Sequence, residues 1–207
     1  MKHQSLKLSG FTAPKDRGPR HGNLIVITGP SGVGKGTLVE KLTAQIDHLK
    51  RSVSVTTREM RPGEVEGEQY FFRNREEFMT MVGEAAFMEW AEFAGNLYGT
   101  PRDWVNEALS EGIDVILEIE VLGAKQILKQ NSGAVLVFIS PPSFEELADR
   151  LRNRATESDE KIKLRLDKAV EELQEKNVFQ YEVVNDKLEE AVKNLEHIVY
   201  AERCRIP

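Results

Sequence analysis

A glycine-rich loop that carries a lysine, residues 29–37, contains the residue types best suited to chemistry in this chain of 207 residues. The loop follows an apolar run over 24–28 and precedes a helical pattern over 38–46. In that context glycines let successive N–H groups turn toward one anion, and the helix N-terminus adds partial positive charge. Lys35 then serves as a mobile cation for the phosphates of a ligand. The alternative is a glycine-rich turn without a ligand.

The loop departs at one position from the common pattern G-x-x-x-x-G-K-[ST]. Gly29, Gly34 and Lys35 match, but Gly36 stands where a hydroxyl residue normally follows the lysine. That hydroxyl commonly binds magnesium. Thr37 comes one residue later and is therefore the candidate to serve phosphate or metal instead.

Two arginines and two tyrosines form a second candidate anion site. Arg58 and Arg61 are three residues apart and can converge on one phosphate, which guanidinium groups bind through paired hydrogen bonds. Tyr70 and Tyr98 can each donate a phenolic O–H to phosphate oxygens. The residues alone leave open that this is a solvated turn with surface arginines.

Ser54 and Glu89 are polar residues that are each flanked by apolar neighbours. A carboxylate can accept the two N–H groups on one edge of guanine, and a hydroxyl can donate to the O6 atom of the base. The alternative for Glu89 is a position on the solvent face of its strand.

Alternating strand and helix patterns surround these residues. The predicted strands cover about 23–28, 51–58, 70–72, 87–93, 113–119, 134–139 and 182–184. The predicted helices cover about 35–47, 76–82, 104–109 and 121–129, a helix capped by Ser143, a helical stretch to about 176, and 187–202. This alternation predicts an α/β fold of the P-loop NTPase type, with a parallel sheet and helices on both faces. Residues 54–101 depart from it and predict a mostly β insert.

Composition and charge limit the class of protein. A net charge of -6 argues against nonspecific nucleic-acid binding. The single cysteine, Cys204, fits a reducing compartment. We expect a cytoplasmic protein without a membrane partner, because no apolar run reaches the length of a span and the first residues lack a signal-peptide core. Residues 1–20 predict a disordered tail.

Six motifs resemble the guanylate kinase family in order and approximate spacing, and together they cover about residues 22–205. They occupy 29–37, 54–58, 61–64, 67–72, 95–99 and 184–186. The resemblance implies transfer of a phosphoryl group from ATP to GMP, with Mg²⁺ as cofactor and dGMP as a further acceptor. It implies a guanylate kinase-like domain over 21–207, with a core at about 21–53, 102–149 and 166–207. It also implies a GMP-binding insert at about 54–101 and a helical lid at about 150–165.

The resemblance also assigns roles to single residues. For ATP it implies contacts from Gly29, Pro30, Ser31, Gly32, Val33, Gly34, Lys35, Gly36, Thr37 and Asn185. For GMP it implies contacts from Ser54, Arg58, Arg61, Tyr70, Glu89, Tyr98, Thr100 and Glu120. The implied catalytic residues are Lys35 and the lid arginines Arg150, Arg154 and Arg165.

The chain departs from the family pattern at several positions, two of them near the proposed metal site. Glu118 and Glu120 replace the commoner aspartates, Leu122 replaces an amide, and Leu97 stands where a second tyrosine is common. Glu118 keeps its charge and can orient magnesium through water. Without the resemblance, the lid arginines suit a charged helix face paired with nearby acids.

Two other functions stay open. Guanylate-kinase-like binding modules of scaffold proteins have degenerate phosphate loops, which the intact Lys35 argues against. A P-loop kinase with another acceptor, such as AMP or a phosphorylated sugar, is the closer rival.

Overall fold

The computed structural model describes residues 20–93, 95–130, 133–152 and 159–206. Nine strands and seven α-helices lie within them. The strands are β1 (Leu24–Thr28), β2 (Leu49–Arg51), β3 (Ser54–Thr56), β4 (Tyr70–Phe72), β5 (Phe87–Phe93), β6 (Asn96–Pro101), β7 (Asp114–Glu118), β8 (Val135–Ser140) and β9 (Tyr181–Val184). The helices are α1 (Lys35–Gln45), α2 (Arg75–Gly83), α3 (Arg102–Ser110), α4 (Val121–Gln130), α5 (Phe144–Arg152), α6 (Asp159–Gln174) and α7 (Leu188–Arg203). A 3₁₀ turn, Glu175–Val178, follows α6.

The main sheet is parallel and has the strand order β2-β7-β1-β8-β9, which places β1 at its centre. Every residue of β1 is buried, as expected for a parallel strand covered on both faces. Ile25 and Ile27 pack with α1, α5 and α7 on one face, whereas Leu24 and Val26 pack with α3 and α4 on the other. These two apolar layers confirm the predicted α/β fold with helices on both faces.

A second, smaller sheet has the order β4-β3-β6-β5 and contains antiparallel pairs. β5 and β6 form a hairpin in which Gly95 has a φ of 79°, a conformation that favours glycine. Phe78 of α2 is fully buried against Phe87, with ring centroids 4.6 Å apart. This sheet therefore has a small core of its own.

The β-rich run over 51–58 contributes to two short strands, β2 and β3, which belong to different sheets. Arg51, at the end of β2, pairs with Ile116 in the main sheet. Ser54, at the start of β3, pairs with Tyr70 in the second sheet. Alternation of apolar and polar residues indicates which face is buried, but it carries no information about the neighbouring strand.

The chain termini of the described part are joined by a buried carboxylate. Asp114 is completely buried and accepts hydrogen bonds from Arg20, Arg203 and the backbone N–H of Asn23, each at 2.7 Å. Arg20 therefore belongs to the folded structure, although the sequence assigns it to the tail. Residues 1–19 of that predicted tail lie outside the described residues. Among the described helices, none combines the length and the hydropathy of a membrane span.

Candidate active site

The glycine-rich loop connects the carboxyl end of β1 to the first turn of α1. Gly29, Gly32 and Gly34 have φ angles of 145°, 89° and 96°, where any side chain would be strained. The Lys35 Nζ atom donates hydrogen bonds to the carbonyl oxygens of Gly29, at 2.6 Å, and Pro30, at 3.3 Å. The amine thus lies across the loop whose N–H groups form the predicted phosphate cradle.

Asn185 supports the loop from the end of β9. Its side-chain Nδ2 donates to the carbonyl oxygen of Val33 at 2.7 Å, and the residue is buried. A β-carbon at Gly34 would lie only 2.6 Å from that nitrogen, so a residue with a side chain would displace the amide. Sequence reasoning did not predict this supporting role. The contact between Asn185 and adenine stays a prediction.

Two of the three predicted lid arginines lie beside the loop. Arg165 donates from Nη2 to the Ser31 hydroxyl at 2.7 Å. Arg150 donates from Nη1 to the carbonyl oxygen that follows β9, at 3.1 Å, and its Nε pairs with Glu146, also at 3.1 Å. The pair with Glu146 is the i, i+4 contact expected for a charged helix face. Arg150 therefore fits both that interpretation and the predicted position beside the phosphate loop. Arg154 lies outside the described residues.

A cavity of about 200 Å³ opens beside the loop, between the main sheet and the second sheet. Residues predicted for donor, acceptor and metal all contribute to its wall: Lys35, Ser54, Tyr70, Glu89, Tyr98, Glu118 and Glu120. Arg51 and Gln69, which sequence reasoning missed, also line it. The structure therefore brings together groups that are up to 85 positions apart, from Lys35 to Glu120, in one pocket.

Glu89 lies in the wall of this cavity and not on a solvent face. The residue is 5% exposed, and its Oε1 accepts a hydrogen bond from the Thr100 hydroxyl at 2.6 Å. Burial raises the pKa of Glu89 from its ordinary 4.5 to about 7, against the hydrogen bonds from Thr100, which lower it. A β-carbon at Gly123, in the first turns of α4, would lie 2.4 Å from Glu89 Oε2. Glycine at 123 therefore makes room for the carboxylate.

The guanidinium of Arg58 is paired with the carboxylate of Glu64. The guanidinium donates two hydrogen bonds to Glu64, at 3.0 and 2.7 Å, and lies 5.3 Å from the ring centroid of Tyr70. The Glu64 hydrogen bonds raise the pKa of Arg58 further. Tyr70 packs edge-to-face on Tyr98 with centroids 5.9 Å apart, and burial raises its pKa. Arg61 is exposed, and neither arginine lines the cavity.

Glu120 forms a cluster with two α6 residues that sequence reasoning missed, Lys168 and Glu172. Lys168 Nζ lies 3.0 Å from Glu120 Oε2, 3.6 Å from Glu172 Oε1 and 4.0 Å from the ring centroid of Phe93. Burial acts to raise the pKa of Glu120, but the charges of Lys35 and Lys168 outweigh it and the pKa is lowered. Burial and then the Glu120 charge raise the pKa of Glu172 to about 7. The i, i+4 spacing of Lys168 and Glu172 was the only signal of this cluster in the sequence.

Thr37 and Glu118 are the predicted metal candidates. Thr37 is exposed in the first turn of α1. Glu118 ends β7, and its Oε2 atom is buried without a hydrogen bond among the described residues, although Arg51 Nη1 lies 3.5 Å away. A carboxylate oxygen that accepts no hydrogen bond and lies in the same cavity as Lys35 suits magnesium, which takes oxygen ligands. The residues present therefore fit the metal.

A parallel sheet with a glycine-rich, lysine-containing loop at the end of its central strand defines an α/β protein of the P-loop NTPase type. The family model for guanylate kinase matches residues 21–202. The chain belongs to the guanylate kinase family.

Relatives at high identity agree with this family. The guanylate kinase of Desulfitobacterium hafniense (strain Y51) is 50% identical over 186 residues, which cover 90% of this chain and 93% of that protein. The guanylate kinase of Synechococcus sp. (strain JA-3-3Ab) is 51% identical over 188 residues, which cover 91% of this chain and 86% of that protein. The crystal structure of guanylate kinase from Anaplasma phagocytophilum matches with a TM-score of 0.76 at 33% identity, and covers 90% of this chain and 88% of that one.

Proposed function

We propose that this member of the guanylate kinase family transfers the γ-phosphoryl group of ATP to GMP and forms ADP and GDP. The observation that carries the proposal is a buried carboxylate, Glu89, in the same cavity as Lys35. When ionised, this carboxylate can accept the N1 and N2 hydrogens of guanine, and the Ser54 hydroxyl in the same wall can donate to O6. Adenine lacks that pair of donors, so the site favours a guanine nucleotide.

On the donor side, the loop N–H groups and Lys35 bind the phosphates of ATP. The amine lies 2.6 Å from the Gly29 carbonyl oxygen, and we propose that it exchanges this bond for phosphate oxygens. Arg165 and Arg150 lie beside the loop and supply further positive charge to the transferring group. Phosphoryl transfer depends mainly on positioning and charge stabilisation, because its transition state spreads negative charge over the equatorial oxygens.

On the acceptor side, Arg58, Arg61, Tyr70 and Tyr98 bind the phosphate of GMP. Arg58 is paired with Glu64, so phosphate binding requires the guanidinium to exchange or share that contact. Glu120, which is held by Lys168 and has its pKa lowered by the charge of Lys35, contacts GMP from the same cavity. Closure of the insert over 54–101 and the lid over 150–165 would exclude water, which otherwise takes the phosphoryl group.

Thr37 and Glu118 are the residues that would hold magnesium at the donor phosphates. When bound, Mg²⁺ neutralises charge on the phosphate oxygens. Among the described residues, no trio of His, Cys, Asp or Glu side chains is close enough to hold a metal by itself. We therefore propose that the donor phosphates and water complete the coordination, as is usual for Mg²⁺. The cytoplasmic location also stays a prediction.

A coupled assay of ADP formation tests reaction and acceptor together. We expect ADP release from ATP and magnesium with GMP, and not with AMP, CMP or UMP. If the protein shows a cooperative unfolding transition but releases no ADP with any of the four nucleotides, the proposal is contradicted. Phosphorylated sugars would be the next acceptors to test.

A further inference from the structure

Two departures from the common sequence pattern, Gly36 and Glu118, meet in the folded protein. They are separated by 82 positions, yet a β-carbon built on Gly36 would lie 3.4 Å from Glu118 Oε1 and 3.9 Å from Oε2. The carboxylate at the end of β7 therefore borders the space into which a side chain at position 36 would project. That space is where the common pattern has a hydroxyl.

The Glu118 carboxylate has acceptor capacity that the described protein does not use. Its Oε2 is buried without a hydrogen bond, and the Arg51 contact at 3.5 Å is too long for a strong one. Buried carboxylate oxygens normally have a hydrogen-bond partner, because burial without one removes the hydrogen bonds to water and replaces them with nothing. Glu118 also lines the cavity together with Lys35. A buried anionic oxygen that has no hydrogen bond and only this long ion-pair contact favours a further cationic ligand.

We propose that Gly36 and Glu118 are a matched pair, in which the glutamate supplies the metal-facing oxygen that a hydroxyl at position 36 supplies in the common pattern. The inference rests on the proposed function, since the ion would arrive with the donor nucleotide. Glutamate reaches one methylene further than aspartate. Glycine keeps the path open, whereas a serine hydroxyl would donate to Glu118 and occupy the oxygen that faces the metal.

Binding of ADP with and without Mn²⁺ measures this role without any phosphoryl transfer. Calorimetry gives the affinity for ADP in each condition, and the electron paramagnetic resonance of free Mn²⁺ gives the ion bound. We expect Glu118→Gln to lower the metal-dependent gain in ADP affinity by about 10- to 100-fold, the usual loss for a supporting metal contact. The affinity for metal-free ADP should not fall, because the substitution removes negative charge beside the phosphates.

The pairing itself is tested by a double-mutant cycle. Gly36→Ser and Glu118→Asp should each lower the metal-dependent gain, the first by tying up the carboxylate and the second by shortening its reach. The double variant restores the common combination of hydroxyl and short acid, so its gain should return to within about threefold of the parent. If the loss in the double variant equals the product of the losses in the two single variants, the two residues do not act as a pair and the inference is wrong.

Arg51→Met is the matched control, because it removes the ion-pair partner and leaves the Glu118 oxygens in place. It should retain the full metal-dependent gain. If Arg51→Met reproduces the loss, or if Glu118→Gln keeps the parent gain, Glu118 merely ties β7 to β2 and the inference is wrong. Unfolding midpoints of all variants exclude general damage.

Failure of the proposed function would look different. If the parent chain shows no metal-dependent binding of ADP, the donor site and the pairing both fail. If the parent binds metal and ADP but does not use GMP, only the proposed acceptor is wrong.

Discussion

The proposed donor and acceptor sides of the site are built in different ways. The donor loop is nine consecutive residues whose backbone curvature depends on glycines at positive φ. The acceptor side collects side chains from β3, β4, β5 and β6, and two of the proposed acceptor residues are oriented by a side chain elsewhere in the chain. Glu89 has Thr100 and Arg58 has Glu64. The backbone site depends mainly on its own residues and on one distant support, Asn185, whereas the side-chain site depends on packing from several elements.

The largest expected effect is loss of the donor cation. Lys35→Ala should lower kcat by roughly 10³–10⁵, the range known for a cation that stabilises phosphoryl transfer. GMP affinity and the unfolding midpoint should stay near their parent values, because the acceptor wall is built elsewhere. Steady-state kinetics and calorimetry with GMP measure both.

Lys41→Ala is the control for this variant, since it removes from the same helix a half-exposed lysine whose one ion pair among the described residues is with Glu189, at 4.0 Å. It should leave kcat unchanged. Full activity in Lys35→Ala would contradict the donor assignment.

Removal of the acceptor carboxylate should have the next largest effect. Glu89→Gln loses two hydrogen bonds to a charged group, worth about 1.5–3 kcal/mol each, so kcat/KM for GMP should fall roughly 10²-fold or more. KM for ATP should not change, which separates the two sides of the site. Initial-rate kinetics with each substrate varied in turn measure the effect.

Glu92→Gln on the same strand is the control, because Glu92 is half-exposed and touches Arg75 at 3.5 Å. GMP kinetics should be unaffected by it. If Glu89→Gln behaves like this control, Glu89 does not bind the base.

A substitution outside the proposed contact residues tests the packing argument. In Gly123→Ala the new β-carbon would lie 2.4 Å from Glu89 Oε2, so the carboxylate must move. A displacement near 1 Å costs up to about 10²-fold in rate, and we expect kcat/KM for GMP to fall by about tenfold or more. Metal-free ADP affinity should not change.

The control is Gly83→Ala at the end of α2, where a β-carbon would meet no atom within 4 Å. It should leave kinetics unaltered. Equal behaviour of the two alanine variants would show that Glu89 does not need the space at Gly123.

The smallest effect is the pH dependence of GMP binding. Because burial raises the pKa of Glu89 to about 7, most of the carboxyl is protonated at pH 6 and ionised at pH 8. GMP affinity should therefore fall about tenfold between pH 8 and pH 6, beyond the change due to the nucleotide itself. Glu89→Gln should lose this dependence, and ADP binding should not share it.

The same pKa shift makes the free protein less stable as pH rises. Glu89 and Glu172 have pKa values of about 7 in the folded state and an ordinary value of 4.5, so the folded state binds more protons between these values. The free energy of unfolding should decrease from about pH 4.5 to 7 through these two groups. Chemical denaturation at several pH values would test this, with a flatter profile expected for Glu89→Gln.

The limits of sequence reasoning follow the same division between local and distant contacts. The helix boundaries of α1 and the turn at Gly95 were close to their predicted positions, because caps and glycines act within a few residues. The alternating pattern over 51–58 did not show which strands its two parts pair with, since that depends on Ile116 and Tyr70. Lys168 and Glu172 were missed because a charged helix face has the same pattern whether or not it meets Glu120.

The sequence by itself determined the phosphate loop, the alternation of strands and helices, and the family. Each of these depends on neighbouring residues, on periodicity or on the order of motifs. Only the tertiary structure decided that Glu89 faces a cavity, that Asn185 supports the loop, and that Gly36 lies against Glu118. The physical reason is that burial, pKa and close approach arise between residues far apart in the chain, and no local pattern contains them.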